Sequence, residues 1–517
     1  MLRVFRPLVR DRESGWGFTA LLCVPYLAFL VWMHVHHEMW RDEIHFWTMA
    51  RMADGFRDLV TGDRIYDGHP PLWYWYLRVW TWFTHSSVGI HMATVAAAMG
   101  AAVLLVRFAP FPRYLKVLLL FSYYMGYEHT VLSRNYVLSW LFACLFCALY
   151  HPFRLRHGLV ALAVGFLSLG SFYGLALSMF LLGFLVLEQV KIQLRPAVNS
   201  APRLLAVAVT PRFAAALAAM LAAMVFCILT IEPPDPNPFS PAFVLSSINL
   251  KAFPEMMYRI TSGFLPWRHF SMSEFWAMFF TFWERDSIWP VYVGAALSLA
   301  TLLALWPSWR LMLVYFWVGI GMLFFQQARH EGLPRHWGHF FLAFVAACWL
   351  LRTTFPRRHH YLSTALLVGM CAVQVQPFVV ATAIDTRHTF SGARETAAFI
   401  ERAGLQDLPI VGGPDYNVSS IAGFLRRPFH AAETEEVNQT VLFHNRRREF
   451  SPHELMDRAV KVARDRKSPV VLISNQWLPE PPAGFARALL FSSRLGTIAD
   501  ETFSVYKLQA NEPATMP

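Results

Sequence analysis

Apolar runs of about 18 residues or more recur along most of this chain, and they constrain the fold more than any other feature. A run of that length can cross a bilayer as a helix, with every backbone group satisfied inside the segment. The pattern therefore predicts a polytopic α-helical membrane protein. Composition agrees: 56% of the 517 residues are hydrophobic and 15% are charged, against about 25% charged in a soluble domain. The net charge of +11 could suit nucleic acid. The basic residues cluster in short loops between apolar runs, however, which is the pattern of membrane orientation. No nucleic-acid partner is expected.

The opening "MLRVFRPLVRDRESGW" is basic and precedes an apolar stretch over 16–33. That stretch is too long for the apolar part of a signal peptide, and no A-x-A-like site follows. It predicts a retained anchor with a cytoplasmic N-terminus. All six cysteines fall inside apolar runs, so no disulfide framework is expected. Cys144 and Cys147 form a C-x-x-C within a membrane segment and read as two small packing residues.

About eleven spans are expected, near 16–34, 89–106, 115–131, 135–150, 158–171, 175–190, 213–231, 288–306, 311–326, 338–352 and 361–383. The segment "HPPLWYWYLRVWTWF" (69–83) decides the orientation of everything after it. If it does not cross, one set of alternate loops holds Arg107, Arg113 and Lys116, then Arg154 and Arg156, then Lys191, Arg195, Arg203 and Arg212, then Arg310, then Arg352, Arg357 and Arg358. The opposite loops near 132–134 and 172–174 hold only Arg134. That is the cytoplasmic excess of Lys and Arg expected of a bacterial inner-membrane protein. The segment 69–83 is therefore expected to lie in the outer interface as an amphipathic helix, with its Trp and Tyr residues at headgroup level.

Three hydrophilic parts then face outward: a first loop over 37–88, a Pro- and Trp-rich loop over 232–287, and a tail from about 385. Residues 1–384 form a transmembrane module and 385–517 an extracytoplasmic α/β domain. In that domain 408–413, 468–474 and 501–508 read as strands, and 393–404 as a helix. A second helix over 451–465 opens on Ser451 with Glu454 three residues on, a capping box. "GGPDYN" (412–417) reads as a turn, since it lacks the ending of a phosphate-binding loop.

Charged groups near a membrane core are costly and usually functional. The acids Asp42 and Glu43 sit in "WRDEIHFW", just after the first apolar run. Asp67 and His69 follow in the same loop. Arg134 opens a later span. Arg329, His330, Arg335 and His336 lie in "QARHEGLPRHWGH", and Lys251, Arg259 and Arg268 lie in the second outer loop. Paired carboxylates suit proton removal from a hydroxyl or amine. Arginines suit a phosphate through forked hydrogen bonds. Both together, at an interface, suit transfer of a group from a lipid-borne phosphate. His34 and His37, at helical spacing, could instead join Asp42 around a metal.

With these residues in place, the sequence resembles the GT-C superfamily of membrane glycosyltransferases. Within it, the nearest pattern is the protein O-mannosyltransferase and lipid A aminoarabinose transferase group. The family carries an acidic pair in its first extracytoplasmic loop, matched by Asp42 and Glu43. It has an H-P-P-L or K-P-P-L element on an interfacial helix, matched by His69, Pro70, Pro71 and Leu72. It also has an arginine at the outer start of an early span, matched by Arg134 in "SRNYVL". The resemblance covers about the first 150 residues by motif and the later spans by topology alone. It implies a polyprenyl-phosphate sugar donor and an inverting transfer to a glycan, lipid or protein acceptor. It implies Asp42 as general base and Glu43 as its support or as a hold on the acceptor. Arg134 with Arg329 or Arg335 would bind the donor phosphate, helped by Lys251 or Arg268, and Asp67, His69, His330 and His336 would lie near the substrate. No cofactor is required by that scheme, and the histidines leave room for a divalent metal. A transporter or a non-catalytic envelope assembly protein is the alternative. Against the transporter, no inverted repeat of broken spans is visible.

Overall fold

The computed structural model describes residues 14–61, 66–152, 156–194, 210–238, 249–267, 287–328 and 332–511. Arg154, Arg195, Arg203, Arg268, Arg329, His330 and parts of the 232–287 loop lie outside the described residues.

Helix α1 (Trp16–His36) is followed by two short helices, α2 (Arg41–Met52) and α3 (Leu72–Trp80). Then come α4 (Val88–Phe108), α5 (Arg113–Leu120), α6 (Tyr136–Leu149), α7 (His157–Gly170), α8 (Phe172–Leu194) and α9 (Pro211–Ile231). The bundle finishes with α10 (Phe253–Phe264), α11 (Trp289–Leu305), α12 (Trp309–Ala328), α13 (Pro334–Thr354) and α14 (Tyr361–Asp385). Among the described residues α1, α4, α8, α9, α12 and α14 are long and apolar enough to cross a membrane, and α6, α7 and α11 are shorter apolar helices. The protein is a polytopic helical membrane protein.

Exposed and buried apolar side chains divide each long helix. On α9, Leu221, Val225, Ile228 and Leu229 are exposed, while Met220, Met224 and Cys227 are buried. The exposed stripe is equally apolar, which fits lipid on that side and other helices on this one. Helix α13 is buried over nearly its whole length and forms the centre of the bundle.

The segment 115–131 departs from expectation. It is not one helix: α5 stops at Leu120 and a π-turn follows over Tyr124–Glu128. Its polar side chains find partners there that straight helix geometry would deny them. Tyr123 donates to Glu128 (2.6 Å), and Tyr127 donates to Asp385 at the end of α14 (2.9 Å). Lys116 and Arg352 also differ from loop charges, since both are buried. Lys116 donates to the Val106 carbonyl and Ser14 (2.9 Å each), and Arg352 donates to Thr364 (2.6 Å).

Helix α3 occupies the ambiguous 69–83 segment and has nine residues, about 14 Å of helix, too short to cross. Trp73 and Tyr74 are buried in protein, Tyr74 against Phe46, so the expected aromatic belt is reduced. Trp82 and Phe83 are its exposed members.

The C-terminal domain holds α15 (Ala393–Arg402), β1 (Ile410–Gly413), α16 (Asp415–Leu425), β2 (Phe429–Ala431), β3 (Val437–Asn438), α17 (Pro452–Arg466), β4 (Val470–Ser474), β5 (Phe485–Ser492) and β6 (Ser504–Ala510). The sheet order is β3-β2-β1-β4-β6-β5, with β1 parallel to β2 and β4 and the other pairs antiparallel. Strand alternation feeds two cores. Val471 and Ile473 pack with α15 and α16, and Val470 and Leu472 pack with α17. The "GGPDYN" stretch is the end of β1 running straight into α16. Helix α16 rests on α2: Gly423 lies so close that a Cβ there would stand 2.8 Å from Ile44 Cγ1 and from Thr48 Oγ1.

Candidate active site

Successive residues of a helix point about 100° apart, and residues 41–43 use that rotation to leave α2 in three directions. Helix α2 starts here for local reasons. Asp42 and Glu43 lie in its first turn, where negative charge suits the helix dipole, and the Glu43 carboxylate accepts from the Trp40 N–H (3.2 Å).

Glu43 points into the protein. It accepts from the Ser133 N–H (2.5 Å) and pairs with His37 Nε2 (2.9 Å). The other His37 nitrogen meets Asp385 at 2.9 Å. Burial alone would push His37 toward neutrality, but Asp385 and Glu43 hold its pKa well above the ordinary value. Glu43 therefore ties α2 to the turn before α6 and to the end of α14. It does not line the cavity described below, so a direct hold on an acceptor does not fit its position.

Arg41 points to the C-terminal domain. Its guanidinium donates to Asn417 and Asp500 (2.7 Å each) and lies 5.3 Å over the Tyr416 ring.

Asp42 points into a cavity of about 730 Å³, within the range of about 300–1,000 Å³ usual for ligand sites. Arg134 donates to its carboxylate, and Arg335 approaches to 3.6 Å. Burial would raise the Asp42 pKa, but Arg134, Arg335 and Arg41 hold it well below the usual carboxylate range. Arg134 sits 5.0 Å over Phe46, and Arg335 5.5 Å over Trp40. Arg134 Nε is buried and makes no hydrogen bond among the described residues.

Arg41, Arg134, Arg335 and Arg447 line the cavity with two aspartates, Asp42 and Asp67. The first residues of α2, α6, α8, α13 and α16 all reach it. Each helix start adds partial positive charge. Ile231, Phe172 and Phe325 add an apolar side, built from the ends of the long helices α8, α9 and α12. An anion with an apolar tail fits such a lining better than a neutral solute does.

Of the residues singled out from sequence, Asp42, Asp67, His69, Arg134, Arg335 and His336 meet in this cavity. His336 accepts at Nδ1 from the Leu333 N–H (2.7 Å), so its Nε2–H donates to the Tyr136 hydroxyl (2.8 Å). Lys251 is exposed and does not line the cavity, which removes it as a phosphate helper. The three residues considered for a metal do not converge. His34 contacts His91 (2.7 Å) and the Thr130 carbonyl (3.0 Å), His37 lies between two carboxylates, and Asp42 faces the arginines. Among the described residues no group of three or more His, Cys, Asp or Glu side chains could hold a metal.

Sequence reasoning missed His45, Arg41, Tyr136, Tyr416 and Arg447. His45 had a signal: it stands three residues after Asp42, on the same face of any helix through "RDEIHFW". The residues from the C-terminal domain had none, since several hundred positions separate them from α2.

No family model matches the sequence, and no curated protein matches it. Two solved structures of ArnT from Cupriavidus metallidurans are similar to this chain at 14% identity and a TM-score of 0.48; the one bound to undecaprenyl phosphate covers 96% of this chain and 98% of its own, and the apo one 95% and 98%.

Proposed function

We propose that this chain is a membrane glycosyltransferase that moves a sugar from a polyprenyl-phosphate donor to a glycan, lipid or protein acceptor, with inversion at the sugar carbon. The meeting of Asp42, Arg134 and Arg335 in a cavity walled partly by the ends of membrane helices carries this reading. Guanidiniums that can fork onto phosphate oxygens stand beside an apolar side that suits a polyprenyl chain. The excess of Lys and Arg in alternate loops supports a cytoplasmic N-terminus, with the cavity and the C-terminal domain on the far side of a bacterial inner membrane.

In this reading Arg134 and Arg335 receive the donor phosphate, and Asp42 holds both guanidiniums ready for it. The base role that the resemblance implies for Asp42 asks for a carboxylate free of that pairing. Asp42 therefore serves the arginines, and the acceptor's proton goes elsewhere in the same cavity. A transporter finds less support, because Asp42, Asp67, Arg134 and Arg335 meet in one cavity and no inverted repeat of broken spans is visible.

Binding of undecaprenyl phosphate to the purified full chain tests the phosphate assignment. Arg134→Ala should weaken it tenfold or more, and equal affinity would remove the assignment. Mass spectrometry of envelope lipids and glycans, with and without the protein, should show one sugar-modified species that disappears. No difference would count against transfer.

A further inference from the structure

His45 lies one turn beyond Asp42 on α2 and lines the same cavity. Its Nε2 stands 3.1 Å from Asp67 Oδ1, and its Nδ1 stands 2.6 Å from the Thr440 hydroxyl. An ionised carboxylate can only accept, so Nε2 carries the proton and Nδ1 accepts from Thr440. Asp67 suits that part. Burial would raise its carboxyl, but His45, His69 and Arg134 bring it below its ordinary value. His69 stays beside it, with Nδ1 2.7 Å from the Asp67 carbonyl.

The order is hydroxyl, imidazole, carboxylate. This is the order in which an oriented imidazole removes a proton from an oxygen. The hydroxyl belongs to the C-terminal domain, the imidazole to α2, and the carboxylate to the loop before α3. Phe46 and Phe443 present ring edges to His45 at 5.9 and 6.4 Å. The other titratable and charged side chains that line the cavity are Tyr66, Asp67 and His69 from that loop, Arg134 and Tyr136 at the start of α6, Tyr173 from α8, Arg41 and Asp42 from α2, Arg335 and His336 from α13, and Tyr416 and Arg447 from the C-terminal domain.

We propose that His45, oriented by Asp67, takes the proton from the acceptor hydroxyl, and that the Thr440 hydroxyl marks where that acceptor oxygen binds. The inference rests on the sugar-transfer reading and adds to it a base and an acceptor position. The acceptor oxygen forms a bond to the anomeric carbon. The bond from that carbon to the phosphate oxygen breaks, and its electron pair leaves with the phosphate, between Arg134 and Arg335. The proton passes to His45 Nδ1, giving an imidazolium paired with Asp67, and water takes it after the product leaves. Asp67 is a positioning residue.

The same three side chains could merely fasten the two parts of the chain together, and His45→Gln separates the roles. A glutamine amide can donate to Asp67 and accept from Thr440, but it cannot carry the proton. The assay uses the full chain in proteoliposomes, with undecaprenyl phosphate carrying mannose, glucose or aminoarabinose, and an envelope lipid extract as acceptor. His45→Gln should lower kcat by about 10²–10⁴-fold, with Tm and undecaprenyl phosphate affinity unchanged. Asp67→Asn should lower kcat while undecaprenyl phosphate affinity and Tm stay unchanged. His45→Gln with wild-type kcat would overturn the inference and leave the transfer reading standing. So would a His45→Gln variant whose Tm falls together with its kcat. Wild-type protein that consumes none of the three donors would overturn the transfer reading, and the inference with it.

Discussion

The two walls of the cavity differ in what their arginines are tied to. On the bundle side, Arg134 and Arg335 converge on one carboxylate, Asp42. On the C-terminal-domain side, Arg447 is gripped by Asp415 at 2.6 and 3.2 Å, with Glu433 at 3.9 Å. Arg41, reaching that side, meets Asp500, Asn417 and, at 3.5 Å, Glu501. The first wall gathers two guanidiniums on one shared carboxylate and is suited to an incoming anion. The second is balanced from within and holds its shape. One cavity thus joins a charged receptor wall to a rigid one, and changes on the two walls should fail differently.

The largest expected effect is on the receptor wall. A phosphate gains charge as it leaves, so a guanidinium beside it counts for more in the transition state than in the ground state. Arg134→Ala should therefore lower kcat/KM by about a thousandfold, well beyond its effect on undecaprenyl phosphate affinity. Steady-state kinetics beside equilibrium binding check this, and equal losses in both would break the distinction.

Next in size is the anchor beneath that wall. Glu43→Ala leaves the Ser133 and Trp40 N–H groups without their buried acceptor and His37 with Asp385 alone. Breaking a buried pair from one side costs about 3–5 kcal/mol. Thermal unfolding in detergent should show a large drop in Tm. An unchanged Tm would mean that Glu43 does not hold α2.

Much of the receptor wall was legible in the sequence, because polar residues stand out against an apolar background. Asp42, Arg134 and Arg335 were visible for that reason. Charge asymmetry between loops kept α3 from being read as a span. The break at Leu120 was not legible, because hydropathy registers Tyr123, Tyr124 and Tyr127 as apolar and cannot show that their hydroxyls need partners. The rigid wall was illegible for a different reason. Tyr416, Ser419 and Arg447 reach the cavity only because α16 packs on α2, and nothing local in either segment encodes that contact. Strand β5 was also missed. It is an edge strand whose side chains are mostly exposed, and Arg487 leaves it an apolar run of only four residues.

A smaller effect belongs to the seam between the walls. Glu501 is buried, and burial pushes its pKa up to about 7 despite Arg41 and Ser391 beside it. Its folded pKa lies above its unfolded value of about 4.3, so the folded state holds a proton that the unfolded state has lost. The resulting stability is full below about pH 4.3 and is lost as pH rises through 7. Glu501→Gln keeps the neutral form at every pH. It should match the wild type near pH 5 and exceed it in Tm at pH 8. A constant gap between the two across that range would show that Glu501 does not titrate there.

The smallest effect tests whether the rigid wall depends on the stability of its whole domain. Ser451 accepts from the Glu454 N–H (3.3 Å), and Glu454 accepts from the Ser451 N–H (2.6 Å), closing the start of α17. Ser451→Ala should cost about 1 kcal/mol. Helix α17 covers the face of the sheet opposite α16, and none of its residues lines the cavity. Transfer kinetics and donor affinity should therefore stay at wild-type values while the domain unfolds slightly sooner. A fall in kcat from this substitution would mean that the second wall is set by the sheet as a whole, and not by the contact of α16 with α2.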